Sequence, residues 1–331
     1  MNCFRACCIV LWLLIGVSQA HAEWISRVTE GIMGTRVTVE VWATHAQQGN
    51  VAIDAVLTEM RRIDAAMSTY KPSSEVSQVN AQAGRQPVKI SAELFNLINQ
   101  SLEFSRLTQG AFDITYASVG FKYDFINHTG PDQATVNALL PAINYRHLKL
   151  DAKQQTIAFS YPAVRIDLGG IAKGYAVDRA LLILKQQGIT QAFISAGGDS
   201  YVLGDRQGQL WMVGIRDPDD ASKVIAKLPL SNVAFSTSGD YERYFDEGGT
   251  RIHHIINPSS GRPASNVRSA TIIADSATRT DGLSKTAFVL GAEAALKLYS
   301  QLSGVEAILV TPQGKVLYSQ GLATRIQSVR Q

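Results

Sequence analysis

The chain has 331 residues, 46% of them apolar, which is enough for a sizeable core and excludes a chain that is disordered throughout. Its 31 basic and 28 acidic residues give a net charge of +3, and no run of Lys and Arg stands out. This charge pattern argues against a nucleic-acid-binding protein.

The N-terminal segment has the pattern of a secretory signal peptide. Arg5 precedes a nine-residue apolar run, Ile9 to Val17, and Ala20-His21-Ala22 forms a cleavage site of the A-x-A type. The run is much shorter than the roughly 20 residues that a membrane-spanning helix needs. We therefore expect residues 1–22 to be removed and residues 23–331 to form one domain. That domain is expected in the periplasm, peripheral to the inner membrane at most.

All three cysteines, Cys3, Cys7 and Cys8, lie before the apolar run. The mature chain is therefore expected to have no disulfide, no thiolate metal site and no cysteine nucleophile. A mature chain without cysteine also suits an oxidising compartment.

The first half of the mature chain predicts a strand, two helices and two more strands. Arg36 to Trp42 alternates between apolar and polar residues, as a strand does. Apolar residues recur at helical spacing from Asn50 to Met67, and a second helix fits Ser91 to Leu107. Strands are predicted for Thr156 to Tyr161 and for Val164 to Leu168.

The second half begins with a helix and is then rich in strands. The helix is predicted from Ala176 to Gln187, with Gly188 just beyond its end. The segments that predict strands are AFIS, WMVGI, NVAFS, SATIIA, AILV and KVLYS, and a helix near Ala292 to Leu302 interrupts them. Because helices and short strands mix without a regular βαβ rhythm, we expect an α+β fold with largely antiparallel sheets and packed helices.

A glycine-rich turn, Gly169 to Gly174, carries Lys173 just before the predicted helix. Glycine lets a ligand approach the backbone, and a helix N-terminus together with an ammonium group favours an anion. The spacing differs from that of the G-x-x-x-x-G-K-S/T phosphate loop. A tight turn with a solvated lysine is the alternative.

Two other patches combine turn residues with groups that could do chemistry. The stretch SAGGDSYVLGD, from Ser195 to Asp205, is typical of a hairpin turn. The stretch STSGDYERYF is followed by the adjacent His253 and His254, which point to opposite faces if they lie in a strand. A histidine pair could indicate a zinc site, but this pair lacks the spacing of one. The alternative to a functional role is that one histidine is packed and the other exposed.

The stretch from Ala274 to Gly291 predicts a strand that leads into a helix with acidic residues. If a helix starts near Asp281, then Ser284 and Lys285 lie one turn further along. Oxygen ligands with an open coordination sphere suit magnesium on a phosphate substrate. Asp281 could instead cap the helix N-terminus.

Two aromatic residues, Tyr70 and Phe112, lie beside small polar residues in MSTYKPSSEVSQVN and GAFDITYASVG. Each ring could stack on a planar ligand or fill the core. Together with the other patches, they are compatible with a site for a phosphorylated aromatic ligand and a hard divalent cation.

Taken in chain order, these patches resemble one family, the ApbE-type flavin transferases or FAD:protein FMN transferases. The segments that carry the resemblance are MGT at Met33, MSTYKPSSEVSQVN, GAFDIT, IDLGGIAKGYAVD, AGGD, TSGDYERYF, HHIINPSSGRP and TDGLSKTAFVLG. They cover about Ile25 to Tyr318. The resemblance implies a single ApbE-like, T-fold-related α+β domain.

The resemblance implies an enzyme that splits FAD, moves FMN onto a threonine or serine hydroxyl of a partner protein and releases AMP. FAD would be the substrate and magnesium the cofactor. The implied partners are exported FMN-binding proteins with a D/S-G-A-S/T acceptor, such as subunits of sodium-pumping or Rnf-type redox complexes. A magnesium-dependent FAD pyrophosphatase and a non-catalytic FAD-binding protein are the alternatives.

The resemblance also assigns roles to residues. The implied FAD contacts are Met33, Tyr70, Ala111, Phe112, Asp113, Asp167, Lys173 and His254. The implied metal ligands are the carbonyl of Gly170 and the carboxylate of Asp281, with Ser284 and Lys285 at the neighbouring positions. Lys173, His254 and Asp281 are the expected catalytic residues, and either His254 or a nearby carboxylate is the expected base.

The chain departs from the family pattern at two points. Lys285 stands where many members have a threonine, four residues after the metal-binding aspartate, and a charged ammonium cannot ligate a cation. Either Ser284 takes the ligand role, or Lys285 replaces part of the metal's charge. Asn257 stands where aspartate is commoner, which removes one negative charge.

Overall fold

The computed structural model describes residues 22–322 and 327–328. The signal peptide predicted for residues 1–22 therefore lies outside the described residues, apart from Ala22. The first strand begins at Glu23, the residue expected to start the mature chain. Among the helices of the described residues, none is long and apolar enough to cross a bilayer.

Helices and strands alternate irregularly along the described chain. The helices are α1 (Ala46–Met67), α2 (Glu75–Gln82), α3 (Ala92–Leu107), α4 (Ala117–Gly120), α5 (Gln133–Leu139), α6 (Ala172–Gln186), α7 (Ala277–Leu290) and α8 (Ala292–Tyr299). The strands of the first half are β1 (Glu23–Ile32), β2 (Thr35–Ala43), β3 (Val88–Lys89), β4 (Leu148–Asp151) and β5 (Thr156–Phe159). The next are β6 (Ala192–Ala196), β7 (Asp199–Leu203), β8 (Trp211–Arg216), β9 (Val224–Leu230), β10 (Val233–Gly239) and β11 (Tyr244–Glu247). The last are β12 (Thr250–His253), β13 (Ile256–Asn257), β14 (Arg262–Pro263), β15 (Ser269–Ala274), β16 (Glu306–Val310), β17 (Val316–Tyr318) and β18 (Gln327–Ser328).

An eight-stranded sheet with the order β1-β2-β6-β7-β10-β15-β16-β17 forms the centre of the molecule. Each neighbouring pair in it is antiparallel. Smaller antiparallel sheets, β18-β9-β8 and β3-β5-β4, accompany it. The predicted α+β fold with largely antiparallel sheets is therefore confirmed.

The central sheet is covered on both faces. On one face, Ala270 and Ile272 belong to the main core, which also contains buried side chains of α1, α6 and α7. On the other face, Ile273 packs in a second cluster with Trp211 and Leu228 of the small sheet. Because of this double cover, all six residues of β15 are buried, whereas a sheet with one solvated face would show alternation.

Most predicted elements are confirmed, with shifted ends. Helix α3 begins one residue later than predicted, at Ala92, because the side chain of Ser91 accepts from the Leu94 N–H and caps it. Helix α1 begins four residues earlier than predicted, because the side chain of His45 accepts from the Gln48 N–H and caps it. Gly188 ends α6 with a positive φ of 77°. That helix also begins four residues early, at Ala172, so that Lys173 lies inside its first turn.

The strand predicted for Val164 to Leu168 is wrong. Its backbone bonds to side chains and to single carbonyls of Tyr161 and Ile114, and not to a neighbouring strand. The side-chain amide of Asn80 accepts from the Ile166 N–H and donates to the Ile166 carbonyl, both at 2.8 Å. The hydroxyl of Ser118 accepts from the Arg165 N–H at 3.0 Å. An apolar run cannot reveal these partners, because they lie far away in sequence.

Helices α6 and α7 cap each other. The Asp178 carboxylate of α6 accepts from the N–H groups of Ala277 and Thr278 at the start of α7, at 2.8 and 2.9 Å. In return, the Asp281 carboxylate of α7 accepts from the Gly174 N–H in the first turn of α6, at 3.0 Å. These bonds satisfy N–H groups that a helix leaves free at its N-terminus, and they place negative charge at the positive end of each helix dipole.

The close approach of the two helices depends on Gly174. A Cβ at this position would lie 2.1 Å from the Ala277 carbonyl oxygen and 2.8 Å from the Asp281 Cβ. We expect Gly174→Ala to lower the free energy of unfolding by about 2 kcal/mol or more, because the helices must move apart. Urea denaturation followed by circular dichroism measures this change.

Gly282→Ala in α7 is the matched control. There an added Cβ would meet only the ring of Phe104, at ordinary contact distances of 3.4 Å and more. Since alanine favours a helix over glycine, we expect this variant to be stabilised by up to about 1 kcal/mol. Equal stabilities for the two variants would contradict the packing argument.

Candidate active site

Four charged side chains meet where α6 and α7 pass one end of the central sheet. The Lys173 Nζ lies 2.7 Å from an Asp199 carboxylate oxygen and 3.7 Å from one of Asp281. Lys285 forms a further ion pair with Asp281 from the same helix. The Asp199 side chain is 3% exposed and that of Asp281 is fully buried. These groups form the charged cluster, defined as Lys173, Asp199, Asp281 and Lys285.

Asp199 reaches the cluster because a tight hairpin joins β6 to β7. Ala196 pairs with Asp199, which leaves Gly197 and Gly198 as the turn. Glycine is needed here, because a Cβ at Gly198 would lie 2.2 Å from the Thr237 carbonyl oxygen. The hairpin interpretation of AGGD is therefore confirmed, and the turn also delivers a buried carboxylate to the site.

Asp281 lies in the second turn of α7 and does not cap it. The cap is Ser276, whose hydroxyl accepts from the Arg279 N–H. The alternative in which Asp281 caps the helix is therefore wrong. As a buried carboxylate inside the helix, it accepts from Lys285 on one oxygen and from the Gly174 N–H on the other.

Paired hydroxyls hold α7 against strand β10. Ser236 bonds Thr280 at 2.6 Å, and Ser238 bonds Ser284 at 2.8 Å. The pairs match because residues two apart on a strand and four apart on a helix both repeat on one face. These short side chains let the helix backbone approach the sheet, which brings Asp281 beside Asp199.

Burial and charge oppose each other at Lys173 and Asp199. Burial alone would lower the pKa of Lys173, but the Asp199 and Asp281 carboxylates outweigh it and raise that pKa. Burial would raise the pKa of Asp199, but the Lys173 and Lys285 ammonium groups outweigh it and lower that pKa. Both groups are therefore charged at neutral pH.

The residues implied as metal ligands do not fit a magnesium ion in their present arrangement. Both Asp281 oxygens already accept hydrogen bonds, from Lys285 and from the Gly174 N–H. The Ser284 hydroxyl donates to the Asp281 carbonyl at 2.8 Å and is bonded by Ser238. Lys285 also lies beside Gly170, where an added Cβ would be 3.9 Å from its Cγ. Magnesium needs free oxygen ligands in octahedral geometry, and the described residues contain no group of three or more acidic or histidine side chains that could hold a metal.

A chain of contacts runs from the charged cluster to the implied FAD contacts. The Asp167 carboxylate accepts from the Gly169 N–H at 2.6 Å, the Thr69 hydroxyl at 2.8 Å and the Tyr116 hydroxyl at 3.2 Å. The carbonyl of Gly169 accepts from Lys173 at 3.4 Å. Asp167 and Lys173 therefore contact the glycine turn from its two sides, both through Gly169.

Tyr70 has an exposed aromatic ring, and its neighbour Thr69 bonds the Asp167 carboxylate. Tyr70 is 79% exposed. The Arg243 guanidinium donates to its hydroxyl at 3.2 Å. Of the two sequence alternatives, ligand stacking or core filling, exposure excludes the core for Tyr70. Phe112 is buried and packs edge-on against Phe104, so it fills the core, with one edge close to Gly170.

Two of the other implied FAD contacts differ in how they face the site. Asp113 is buried, and its carboxylate accepts from Thr115 and from the Tyr145 N–H at 2.7 Å. Its side chain is thus used within the protein, Ala111 is likewise buried, and only the ring of Phe112 lies close to the turn. Met33 has a φ of 55° in the two-residue turn between β1 and β2. The left-handed region is unfavourable for a methionine, and such strain is often found at functional sites.

The two histidines separate into one packed and one half-buried residue. His253 is buried, its Nε2 bonds the Ala264 carbonyl at 2.8 Å, and its Nδ1 accepts from the Ile255 N–H. His254 bonds the Arg243 carbonyl through Nδ1 at 3.3 Å. Burial, with His253 and the Lys285 ammonium adding to it, lowers the pKa of His254 to about 3. Because a carbonyl only accepts, Nδ1 carries the proton and Nε2 keeps a free lone pair.

Sequence reasoning missed Asp199 as a member of the site and Asp178 as a cap for α7. The AGGD motif was a signal for Asp199, but its partner Lys173 lies 26 positions earlier in the chain. Asp240, in the TSGD motif, lies outside the charged cluster. It pairs with Arg251 and Arg268 and not with the cluster.

Comparison with known proteins adds to this geometry. The ApbE family model matches residues 33–309. The FAD:protein FMN transferase of Treponema pallidum is 29% identical over 96% of this chain and 94% of that protein. The one from Klebsiella pneumoniae is 30% identical over 87% of this chain and 90% of that protein.

Solved structures have the same fold. The ApbE protein of Thermotoga maritima superimposes with a TM-score of 0.84 at 32% identity, covering 92% of this chain and 100% of that one. The flavin transferase ApbE of Vibrio cholerae gives a TM-score of 0.81 at 25% identity, covering 92% and 99%.

The buried His253 leads to a pH-dependent stability. Burial lowers its pKa below the ordinary value of 6.5. Below pH 6.5 His253 binds a proton in the unfolded chain but not in the folded chain, which favours unfolding. The contribution of this group to stability is therefore present above pH 6.5 and is lost as the pH falls. We expect the free energy of unfolding to fall by up to ~1.4 kcal/mol per pH unit from this group, measured by urea denaturation between pH 7 and pH 5.

His253→Gln should reduce this slope without abolishing it, since glutamine retains a donor and an acceptor but does not titrate, while His254, whose pKa is also lowered, still contributes. His128→Gln replaces an exposed histidine and is the control. An unchanged slope in His253→Gln would rule out the buried histidine as the cause.

Proposed function

The chain belongs to the ApbE family and is a transferase, and we propose that it is an FAD:protein FMN transferase. It cleaves the diphosphate of FAD, attaches FMN to a threonine or serine hydroxyl of an acceptor flavoprotein, and releases AMP. The observation that carries this proposal is that the motifs come together in space. Motifs that are distant in sequence, including IDLGGIAKG, AGGD and TDGLSK, supply the charged cluster at one end of the sheet.

The diphosphate of FAD binds at the Gly169–Gly174 turn in this proposal. Lys173 is charged and lies in the first turn of α6, where the positive end of the helix dipole adds to its charge. Both favour the anion that develops on the leaving phosphate. The isoalloxazine or adenine ring of FAD stacks on Tyr70, whose ring is exposed and whose hydroxyl is held by Arg243.

In the transfer step, the acceptor hydroxyl oxygen attacks the phosphorus of the FMN half of FAD. A new P–O bond forms, the bond from this phosphorus to the bridging oxygen breaks, and the electron pair leaves with AMP. The hydroxyl proton passes to a base. His254 is suited to this role because it is neutral and its Nε2 lone pair is free. Its low pKa must rise when the anionic diphosphate binds nearby, so the histidine becomes a stronger base only in the loaded enzyme.

We also propose that the enzyme and its acceptor are exported. The signal-peptide pattern of residues 1–22 supports export, and β1 starts at Glu23, directly after the predicted cleavage site. The acceptors in this proposal are exported FMN-binding proteins with a D/S-G-A-S/T segment, such as sodium-pumping or Rnf-type redox subunits.

The transfer is tested with the chain from Glu23, FAD, and a purified FMN-binding domain that carries an S-G-A-T acceptor. We expect intact-mass spectrometry to show the gain of one FMN on that domain, together with AMP release. Lys173→Met should slow the transfer by about 100-fold or more, because one positive charge at the leaving phosphate is lost. Lys185→Met, at the far end of the same helix, should leave the rate unchanged.

Two outcomes would contradict the transferase function, and a third would contradict the role of Lys173. AMP and FMN without a modified acceptor would indicate a pyrophosphatase. FAD that stays bound and intact would indicate a carrier. A normal transfer rate in Lys173→Met would remove this lysine from the diphosphate site.

Export is tested by expressing the full chain with its native N-terminus and fractionating the cells. We expect the purified protein from the periplasmic fraction to have the mass of the chain from Glu23, since the cleavage site follows Ala22. A full-length mass, or a protein found only in the cytoplasm, would overturn the export proposal.

A further inference from the structure

The charged cluster is electrically balanced without any added ion. Asp199 and Asp281 contribute two negative charges, and Lys173 and Lys285 contribute two positive charges. Without Lys285, one negative charge in this buried place would have no partner, which is strongly unfavourable. A divalent cation could supply the missing charge in such a site, but here a side chain does so.

We propose that the Lys285 ammonium takes the place of a divalent cation, so that this chain neither binds magnesium at Asp281 nor needs it for transfer. The second half of the inference rests on the proposed transferase function. The first half, on metal binding, stands without it.

The position of Lys285 is fixed by the helix. Asp281 and Lys285 are four residues apart on α7, with the acid on the N-terminal side, which is the favourable orientation for an ion pair. The side chain of Lys285 is only 17% exposed. Its stem passes close to Gly170, on the turn that also leads to Lys173. The cation is therefore tied to the chain and held beside the turn where the diphosphate is proposed to bind.

A magnesium ion would have to displace Lys285 from Asp281. It would then lie close to two ammonium groups, since Lys173 is 3.7 Å from the other Asp281 oxygen, and like charges at such distances repel. The Ser284 hydroxyl donates to the Asp281 carbonyl and accepts from Ser238, which leaves it a single lone pair for a cation.

Lys285 can do for the reaction what an electrostatic cation does. An ammonium has three donors, so a bond to Asp281 leaves others for diphosphate oxygens. During transfer it offsets the charge that develops on the oxygen leaving with AMP, and it gives up no proton. Lys173 assists from α6, so two single charges replace one double charge.

The first test measures metal binding and needs no turnover. Mn²⁺ is titrated into the chain from Glu23, with and without FAD, and the free ion is followed by electron paramagnetic resonance. The variants are Lys285→Thr, which removes the charge and supplies a hydroxyl, and Asp281→Asn. Lys297→Thr, an exposed lysine of α8, is the matched control.

We expect no stoichiometric Mn²⁺ site in the native chain or in Lys297→Thr. Lys285→Thr with FAD should bind one Mn²⁺ at least about tenfold more tightly than the native chain, because the lost charge leaves room for a cation. The proposal would be overturned if the native chain bound Mn²⁺ stoichiometrically and Asp281→Asn abolished this binding. This comparison does not depend on whether Lys285→Thr folds. Failure of a folded Lys285→Thr to bind Mn²⁺ would overturn it as well.

The second test measures FMN transfer after exhaustive treatment with a chelator. We expect the native rate to stay within about twofold of the rate with magnesium, and Lys285→Thr to be at least about 100-fold slower until magnesium is added. A native rate that collapses with chelator and returns with magnesium would overturn the proposal. If the native chain transfers no FMN under any condition, the proposed function fails, and the Mn²⁺ titration alone decides the cation inference.

Discussion

Two carboxylates that are shielded from water, Asp199 and Asp281, require positive charges within a few ångströms, and much of the site follows from this requirement. A buried charge without a partner costs several kcal/mol, so Lys173 must come from α6 and Lys285 from α7. The strand that carries Asp199 and the two helices are therefore held in one arrangement. Contacts within the protein hold this arrangement in place, and a fixed arrangement of charges is the condition for electrostatic catalysis.

Small residues make this arrangement sterically possible. Gly174 lets α6 and α7 approach until each helix caps the other, and the serine and threonine pairs do the same between α7 and β10. Glycines at the β6–β7 turn allow the neighbouring strand to pass close by. The glycines and hydroxyls of the family motifs thus have a packing role in addition to any contact with a ligand. Packing and chemistry select the same residues here, which explains why these short motifs are recognisable in sequence.

The sequence predicted the architecture and the parts of the site, but not how the parts combine. Hydrophobic periodicity located α1, α3 and β2, because it reports local burial, and the irregular order of elements indicated antiparallel sheets. The pairing of Lys173 with Asp199 could not be predicted, since it depends on how a helix and a hairpin meet in space. The departure at Lys285 was visible in the motif, and two explanations for it were open. Only the contacts of Asp281 and Ser284 distinguish them, because they show which groups are already engaged.

The segment from Val164 to Leu168, which leads into the glycine turn, is fixed by Asn80, Ser118 and the Ile114 carbonyl and not by a strand. Strand ladders open cooperatively, whereas such side-chain clamps can open one at a time, at a free energy below that of global unfolding. Asn80 belongs to the short helix α2 and Ser118 to the one-turn helix α4. Opening of these two helices would free the backbone of Arg165 and Ile166, whereas Asp167 keeps its own bonds to the Ile114 carbonyl and to the hydroxyls of Thr69 and Tyr116. The charged cluster is thus held by the central sheet and by α6 and α7, whereas the segment before the glycine turn depends on separate contacts with a local stability of their own.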